Sequence, residues 1–258
     1  MSHISFSELK VWNECSWKHK ITYIDGIRGF QGNIHTAFGK AVHSTCEKLV
    51  ESNIPNAPEH FQKQFLKELK ELPKDINLDK KLIDDMRTQG SMLAKEILPA
   101  LKEYFGSYEL FSVEEKLLEP IEDYKDFNFK GYIDLVVKTP DQKYHVIDWK
   151  TCSWGWDMRR KSDRMTTYQL TLYKHFFGLK HKIESDNIIT YFALLKRTAK
   201  KDNVELFKVT SGNKKTENAL KLLNKALYNL NNKKYVKNRL SCQTRFGFCE
   251  FYKTEYCR

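Results

Sequence analysis

Between Leu110 and Lys150 the apolar residues fall into three short runs, Phe111 to Leu117, Phe127 to Val137 and Tyr144 to Trp149. Alternating, β-branched and aromatic runs of this length read as strands. Pro140-Asp141-Gln142 separates the last two and is turn chemistry, so that pair is expected to run antiparallel. The flanking pattern is helical. Ser5-Phe6-Ser7-Glu8 has capping-box spacing and leads into Leu9, Trp12, Trp17 and Ile21. A helix is expected over Phe38 to Val50, and Pro55 to Phe105 reads as two or three amphipathic helices. After the strand block come a helix from about Met165 to Phe177, strands near Ile188–Leu195 and Val204–Thr210, and a basic helix from about Lys215 to Leu230. Strands enclosed by helices imply an α/β chain.

At 258 residues we read one domain: a mainly helical part (1–107), a sheet-and-helix part (108–210), and a basic helix with a cysteine-bearing tail (211–258). Hydrophobic residues at 41% and charged residues at 30% exclude a disordered or membrane chain. No apolar run approaches membrane-spanning length and Met1-Ser2-His3-Ile4-Ser5 lacks a leader pattern, so a cytoplasmic protein is expected. The net charge of +11 makes a polyanion, nucleic acid first, the expected partner, although lysine-rich helix faces can serve solubility alone.

The stretch that carries chemistry is Gly131-Tyr132-Ile133-Asp134 followed by Val146-Ile147-Asp148-Trp149-Lys150-Thr151. Strand alternation puts Asp148 and Lys150 on one face and Ile147 and Trp149 on the other. If the two strands pair about the turn, Asp134 approaches Asp148 across the ladder. Two converging carboxylates favour a hard divalent cation between them, Mg²⁺ or Mn²⁺, which could activate water for attack on a phosphate. Lys150 could orient that water or stabilise the developing negative charge. Singly, each residue is better explained by an ordinary salt-bridged strand surface, and only their combination shifts the balance toward a site.

Gly-x-x-Asp, Asp-x-Lys-Thr and a helical Gln169-x-x-x-Tyr173 together resemble the RecB-like, CRISPR-associated exonuclease branch of the PD-(D/E)XK nuclease superfamily. Gly39-Lys40-Ala41-Val42-His43 looks like its helical Gly-x-x-x-His element, and Ser5 to Cys15 like its amino-terminal signature. Ile147 to Thr151 is especially similar to phage and mitochondrial genome maintenance exonucleases. The resemblance implies a restriction-endonuclease-like core, a central mixed sheet flanked by helices, preceded by an N-terminal helical region. It implies a metal held by His43, Asp134, Asp148 and the backbone carbonyl of Trp149, with Lys150 catalytic and Gln169 and Tyr173 facing the site. Relatives often carry a glutamate near Ser112 to Lys116. Whether Glu114 or Glu115 faces the site stays open, and neither is assigned.

Six cysteines stand at 15, 46, 152, 242, 249 and 257. In iron-sulfur members of the group, one cysteine before the core and three after it bind a [4Fe-4S] cluster, which implies Cys15, Cys242, Cys249 and Cys257 here. This chain departs from the common Cys-x-x-Cys pair, because Phe246 stands where Cys249 would need its partner. Zinc and four unrelated buried thiols are the alternatives, and Cys46 and Cys152 are read as packing residues.

Arg159, Arg160, Lys161 and Arg164, preceded by Trp154 and Trp156, suit the path of a nucleic-acid strand, or else form a solvated loop with the tryptophans folded inward. Lys196, Arg197, Lys200, Lys201, Lys233 and Lys234 extend the basic surface. The expectation is a metal-dependent DNA exonuclease acting on single-stranded ends in recombination, repair or phage DNA metabolism, with a helicase or recombination partner. A structure-selective endonuclease and a non-catalytic DNA-binding subunit are the alternatives.

Overall fold

The computed structural model describes residues 2–27, 29–52, 54–244 and 247–258. They form two compact units, each discontinuous in sequence: residues 1–31, 118–131 and 212–258 in the first, and 32–117 and 132–211 in the second. Two long strands run from one unit into the other: β2 (Glu109–Ile121) and β3 (Tyr124–Lys138).

In the second unit β3 pairs antiparallel with β4 (Tyr144–Cys152), in a ladder from Leu135–Ile147 to Lys138–Tyr144. Strand β4 pairs in parallel with β5 (Ile188–Lys196), which pairs antiparallel with β6 (Val204–Val209). The sheet is therefore mixed, and the parallel step needs a crossover, which the short helix α6 (Met158–Ser162) and α7 (Arg164–His181) supply. Asp157 and Asp163 cap these two helices with their carboxylates.

Alternation along the strands divides the packing. Leu135, Val137, Ile147, Trp149, Tyr191, Ala193 and Leu195 join one apolar core with α3 (Ile34–Ser52), α4 (Ala57–Lys70) and α5 (Lys80–Phe105). The intervening residues, Asp148 among them, face the other way; Gln169 of α7 donates a hydrogen bond to Asp148. The segment from Pro55 to Phe105 thus yields two helices. They approach closely where Gly90 meets the buried Phe61 ring: a Cβ at Gly90 would lie 2.0 Å from it.

In the first unit the short strand β1 (Ser2–Ser5) pairs in parallel with Phe127–Lys130 of β3. Ser5 then caps α1 (Phe6–Glu14), with Glu8 completing the capping box read from sequence. A short helix α2 (Ser16–His19) and a π-helical turn (Lys20–Ile24) follow, and α8 (Asn213–Asn231) packs against α1. The chain closes with a small hairpin of β7 (Gln243–Thr244) and β8 (Gly247–Phe248). Among the described residues no helix is long and apolar enough to cross a membrane.

Candidate active site

The regular β3–β4 ladder stops at the Leu135–Ile147 pair. One residue further, the Asp134 carboxylate accepts the Trp149 backbone N–H at 2.7 Å, so a side chain takes over where backbone pairing ends. The Trp149 side chain is buried in the helical core, which fixes the face on which Asp148 and Lys150 emerge. His43, at the middle of α3, lies with Nδ1 3.5 Å from Asp134 Oδ1. On the opposite side Gln169 Nε2 donates to Asp148 Oδ1 at 2.7 Å and lies 3.4 Å from the Tyr173 hydroxyl. The structure thus gathers His43, Asp134, Asp148, Lys150, Gln169 and Tyr173 within the second unit.

Asp148 is only 2% exposed. Burial pushes its carboxyl up to about 6; repulsion from Asp134 adds to this, while Lys150 and His43 oppose it. Lys150 Nζ lies 2.5 Å from Asp148 Oδ2, and its ammonium sits 5.7 Å over the Phe192 ring. Oδ2 is itself buried, with that ammonium as its charged neighbour. For His43, burial disfavours the charged imidazole, yet Asp134 and then Asp148 outweigh it and raise its pKa. Burial also raises the Tyr173 phenol, helped by the Asp148 charge.

A glutamate omitted from the assigned set belongs to this field. Glu115 is taken by the end of α7, where Lys180 Nζ lies 2.5 Å and His181 Nε2 2.8 Å from its carboxylate. Glu114 instead lies in the field of the cluster: burial raises its carboxyl, repulsion from Asp134, Glu47 and Asp148 adds to this, and His43 opposes it. Its backbone has φ +49°, a left-handed conformation inside β2, which interrupts strand alternation.

The carboxylates of Asp134 and Asp148 and the imidazole of His43 form a donor set whose chemistry fits a divalent cation of the Mg²⁺ or Mn²⁺ kind, the buried Asp148 Oδ2 being one of its oxygens. Among the described residues, no three His, Cys, Asp or Glu side chains converge on one point as ligands, since Asp148 is directed at Lys150 and Gln169.

The tryptophans divide. Trp156 is buried against Phe192 with Arg160 4.3 Å above its ring, whereas Trp154 is 78% exposed. Arg159, Arg160 and Arg164 are exposed, while Lys161 is paired with Glu205.

The four terminal cysteines all lie in the first unit. Cys15 Sγ accepts the Asn238 N–H at 3.4 Å, Cys242 Sγ donates to the Asn238 carbonyl at 3.8 Å, and Cys249 N–H donates to the Cys242 carbonyl at 2.8 Å. Cys249 and Cys257 share a small apolar cluster with Ile21 and Phe251. All six cysteines are free thiols, with Cys46 buried and Cys152 half-buried; Phe246 lies outside the described residues.

The family model of the PD-(D/E)XK nuclease superfamily matches residues 3–258. The chain belongs to that superfamily. This nuclease is similar in fold to the crystal structure of the "Putative exonuclease" from Eubacterium rectale, with a TM-score of 0.59 at 13% identity over 92% of this chain and 84% of that one. The crystal structure of SSO0001 gives a TM-score of 0.34 at 16% identity over 75% of this chain and 84% of that one, too low to bear on the argument. No curated protein matches the chain. The mixed sheet flanked by helices is the architecture expected of a restriction-endonuclease-like core, and a nuclease of this superfamily hydrolyses phosphodiester bonds, with DNA as substrate.

Proposed function

We propose that this nuclease is a Mg²⁺- or Mn²⁺-dependent exonuclease of the RecB-like branch that trims single-stranded DNA ends in recombination, repair or phage DNA metabolism. The observation that carries the reading is the junction at which Asp134, Asp148 and Lys150 meet, closed by His43 on one side and Gln169 on the other. His43, Asp134, Asp148 and the Trp149 carbonyl would hold the cation. When bound, such an ion polarises a phosphate oxygen and lowers the pKa of water beside it.

The chain's own residues do the rest. Lys150, held over Phe192 with its side chain 31% exposed, is placed to orient the attacking water and to balance charge growing on the phosphate oxygens. Gln169 fixes the orientation of Asp148, and Tyr173 lies within reach of the Gln169 amide. Glu114 adds an acidic group within electrostatic reach of the same field. Trp154, widely exposed near Arg159, Arg160 and Arg164, offers a stacking face beside phosphate-binding cations, which favours unpaired DNA.

Cys15 and Cys242 both lie against Asn238, and with Cys249 and Cys257 in the same unit they are the four free thiols that would hold a [4Fe-4S] cluster, although among the described residues their sulfurs are not gathered as ligands. The backbone N–H of Asn238 at Cys15 Sγ is the kind of donor that tunes such sulfurs. Anaerobically purified protein should be brown and contain iron, and the Cys249→Ser protein should lose both; colourless, iron-free wild type that is folded removes the cluster. Unwinding would come from a helicase or recombination partner.

The nuclease reading is tested with oligonucleotides labelled at either end, single- and double-stranded, with Mg²⁺, Mn²⁺ or EDTA. Mononucleotides or short products released progressively from single-stranded ends in Mg²⁺ are expected. Cleavage inside a closed single-stranded circle at the same rate would favour the endonuclease reading, and tight binding without cleavage would favour a binding subunit.

A further inference from the structure

The second unit also carries a cleft of about 170 Å³ that the carboxylate junction does not use. Phe38 of α3 and Met86 of α5, both buried, form its apolar floor. Its polar lining is His35 from the first turn of α3, Thr151 and Ser153 at and just beyond the end of β4, and Arg197 just after β5.

Arg197 is held in place from several sides. Its backbone N–H donates to the Cys152 carbonyl at 2.9 Å, the next residue's N–H and hydroxyl both reach the Ser153 carbonyl, and the Asn203 side-chain amide donates to the carbonyls of Lys196 and Ala199. The guanidinium itself donates to Gln89 Oε1 at 2.6 Å and Ser153 Oγ at 3.3 Å. Both partners are neutral. Among the described residues Arg197 has no carboxylate at ion-pair distance, and Asp85 acts on it only from further away. A guanidinium has five N–H donors, so several remain for a ligand.

A partly buried cation without a paired anion, beside an imidazole and two hydroxyls, is a poor way to stabilise a fold and a good way to hold an oxyanion. Burial, and then Arg197, keep the His35 imidazole below its ordinary pKa, as expected where positive charge lacks compensation. We propose that this cleft is a second phosphate subsite, which grips the DNA strand whose scissile bond lies at Asp134, Asp148 and Lys150. The inference rests on the nuclease reading given above. By strand alternation Thr151 faces α3 while Lys150 faces the other side of β4, so the link between the two places runs along α3, where His35 precedes His43 by eight residues, a rise of about 12 Å. At ~3.4 Å per stacked nucleotide, that separation corresponds to about three to four nucleotides. The phosphate is either a monoester at a strand end or a diester within the strand.

The test is binding of short fluorescent oligothymidylates in EDTA, carrying a 5′-phosphate, a 3′-phosphate or neither, to the wild type, Arg197→Gln, Arg197→Lys and Ser153→Asp. Arg197→Gln should weaken binding by about tenfold or more, the loss of a charge-assisted hydrogen bond, and reduce the dependence of log Kd on log salt by about 0.7, one single-strand phosphate. Arg197→Lys should recover part of the loss. Ser153→Asp keeps the arginine's backbone ties and sets a carboxylate against the phosphate, so it reproduces the loss even if Arg197→Gln folds poorly. A loss confined to one terminally phosphorylated probe identifies the end monoester, and an equal loss on all probes identifies an internal diester. Unchanged Kd and salt dependence in both Arg197→Gln and Ser153→Asp would overturn the subsite. Because wild-type cleavage in Mg²⁺ is scored separately, its absence sinks the nuclease reading, whereas cleavage with unaltered variant binding sinks the subsite alone.

Discussion

Asp148 carries the largest conflict of any single residue in the site: a carboxylate 2% exposed, beside a second carboxylate and bonded to Gln169. With a folded pKa near 6 against the ordinary 3.8, the folded protein binds more protons than the unfolded chain between those values. The contribution of Asp148 to stability therefore falls as pH rises through that window, in the protein without metal. A cation must displace the same proton, and the raised pKa of His43 adds a second competing proton in the same direction. Titration calorimetry with Mn²⁺ should show affinity falling about tenfold per pH unit below pH 6 from Asp148 alone; affinity flat from pH 7 to 5 would contradict it. Glu114 was not assignable from sequence because strand alternation gives two neighbouring glutamates opposite faces, and the left-handed backbone at Glu114 breaks the alternation on which a choice would rest. The two tryptophans, left open between stacking faces and inward folding, divide between those readings: Gly155, at φ +109°, turns the chain between them, so Trp154 is exposed and Trp156 buried.

At the scale of elements, the fold depends on close passage of α4 and α5. Phe61 is fully buried and flanked by Phe38 and Phe65, so its ring has little room to yield to a methyl group at Gly90. Gly90→Ala should cost about 1–3 kcal/mol, read as an earlier urea-unfolding midpoint; an unchanged midpoint would show that the helices shift freely. The strands β2 to β6 and helices α3, α7 and α8 were readable because each has enough residues to display its period. Strand β1, with four residues, and the two-residue strands of the tail are too short to do so. Which strands pair in parallel is not written locally either, since the β4–β5 partnership depends on the packing of α7 across the sheet. The Asp134, Asp148 and Lys150 set was readable because alternation and one antiparallel turn suffice to bring it together. His43 and Gln169 lie on separate helices, and only the resemblance to a known nuclease pattern pointed to them.

For the whole molecule, a net charge of +11 should make DNA binding strongly salt dependent. Affinity for single-stranded DNA measured in EDTA should fall linearly with salt on logarithmic axes, with a slope of about −0.7 for each phosphate neutralised; a slope near zero would remove the electrostatic account of substrate capture. The most direct test of the central arrangement is the single-turnover cleavage rate of Lys150→Ala against the wild type in saturating Mg²⁺, with Mn²⁺ affinity measured on both proteins. The arrangement predicts a rate lower by about 10²–10³-fold with metal binding retained, and equal rates from two folded proteins would contradict it.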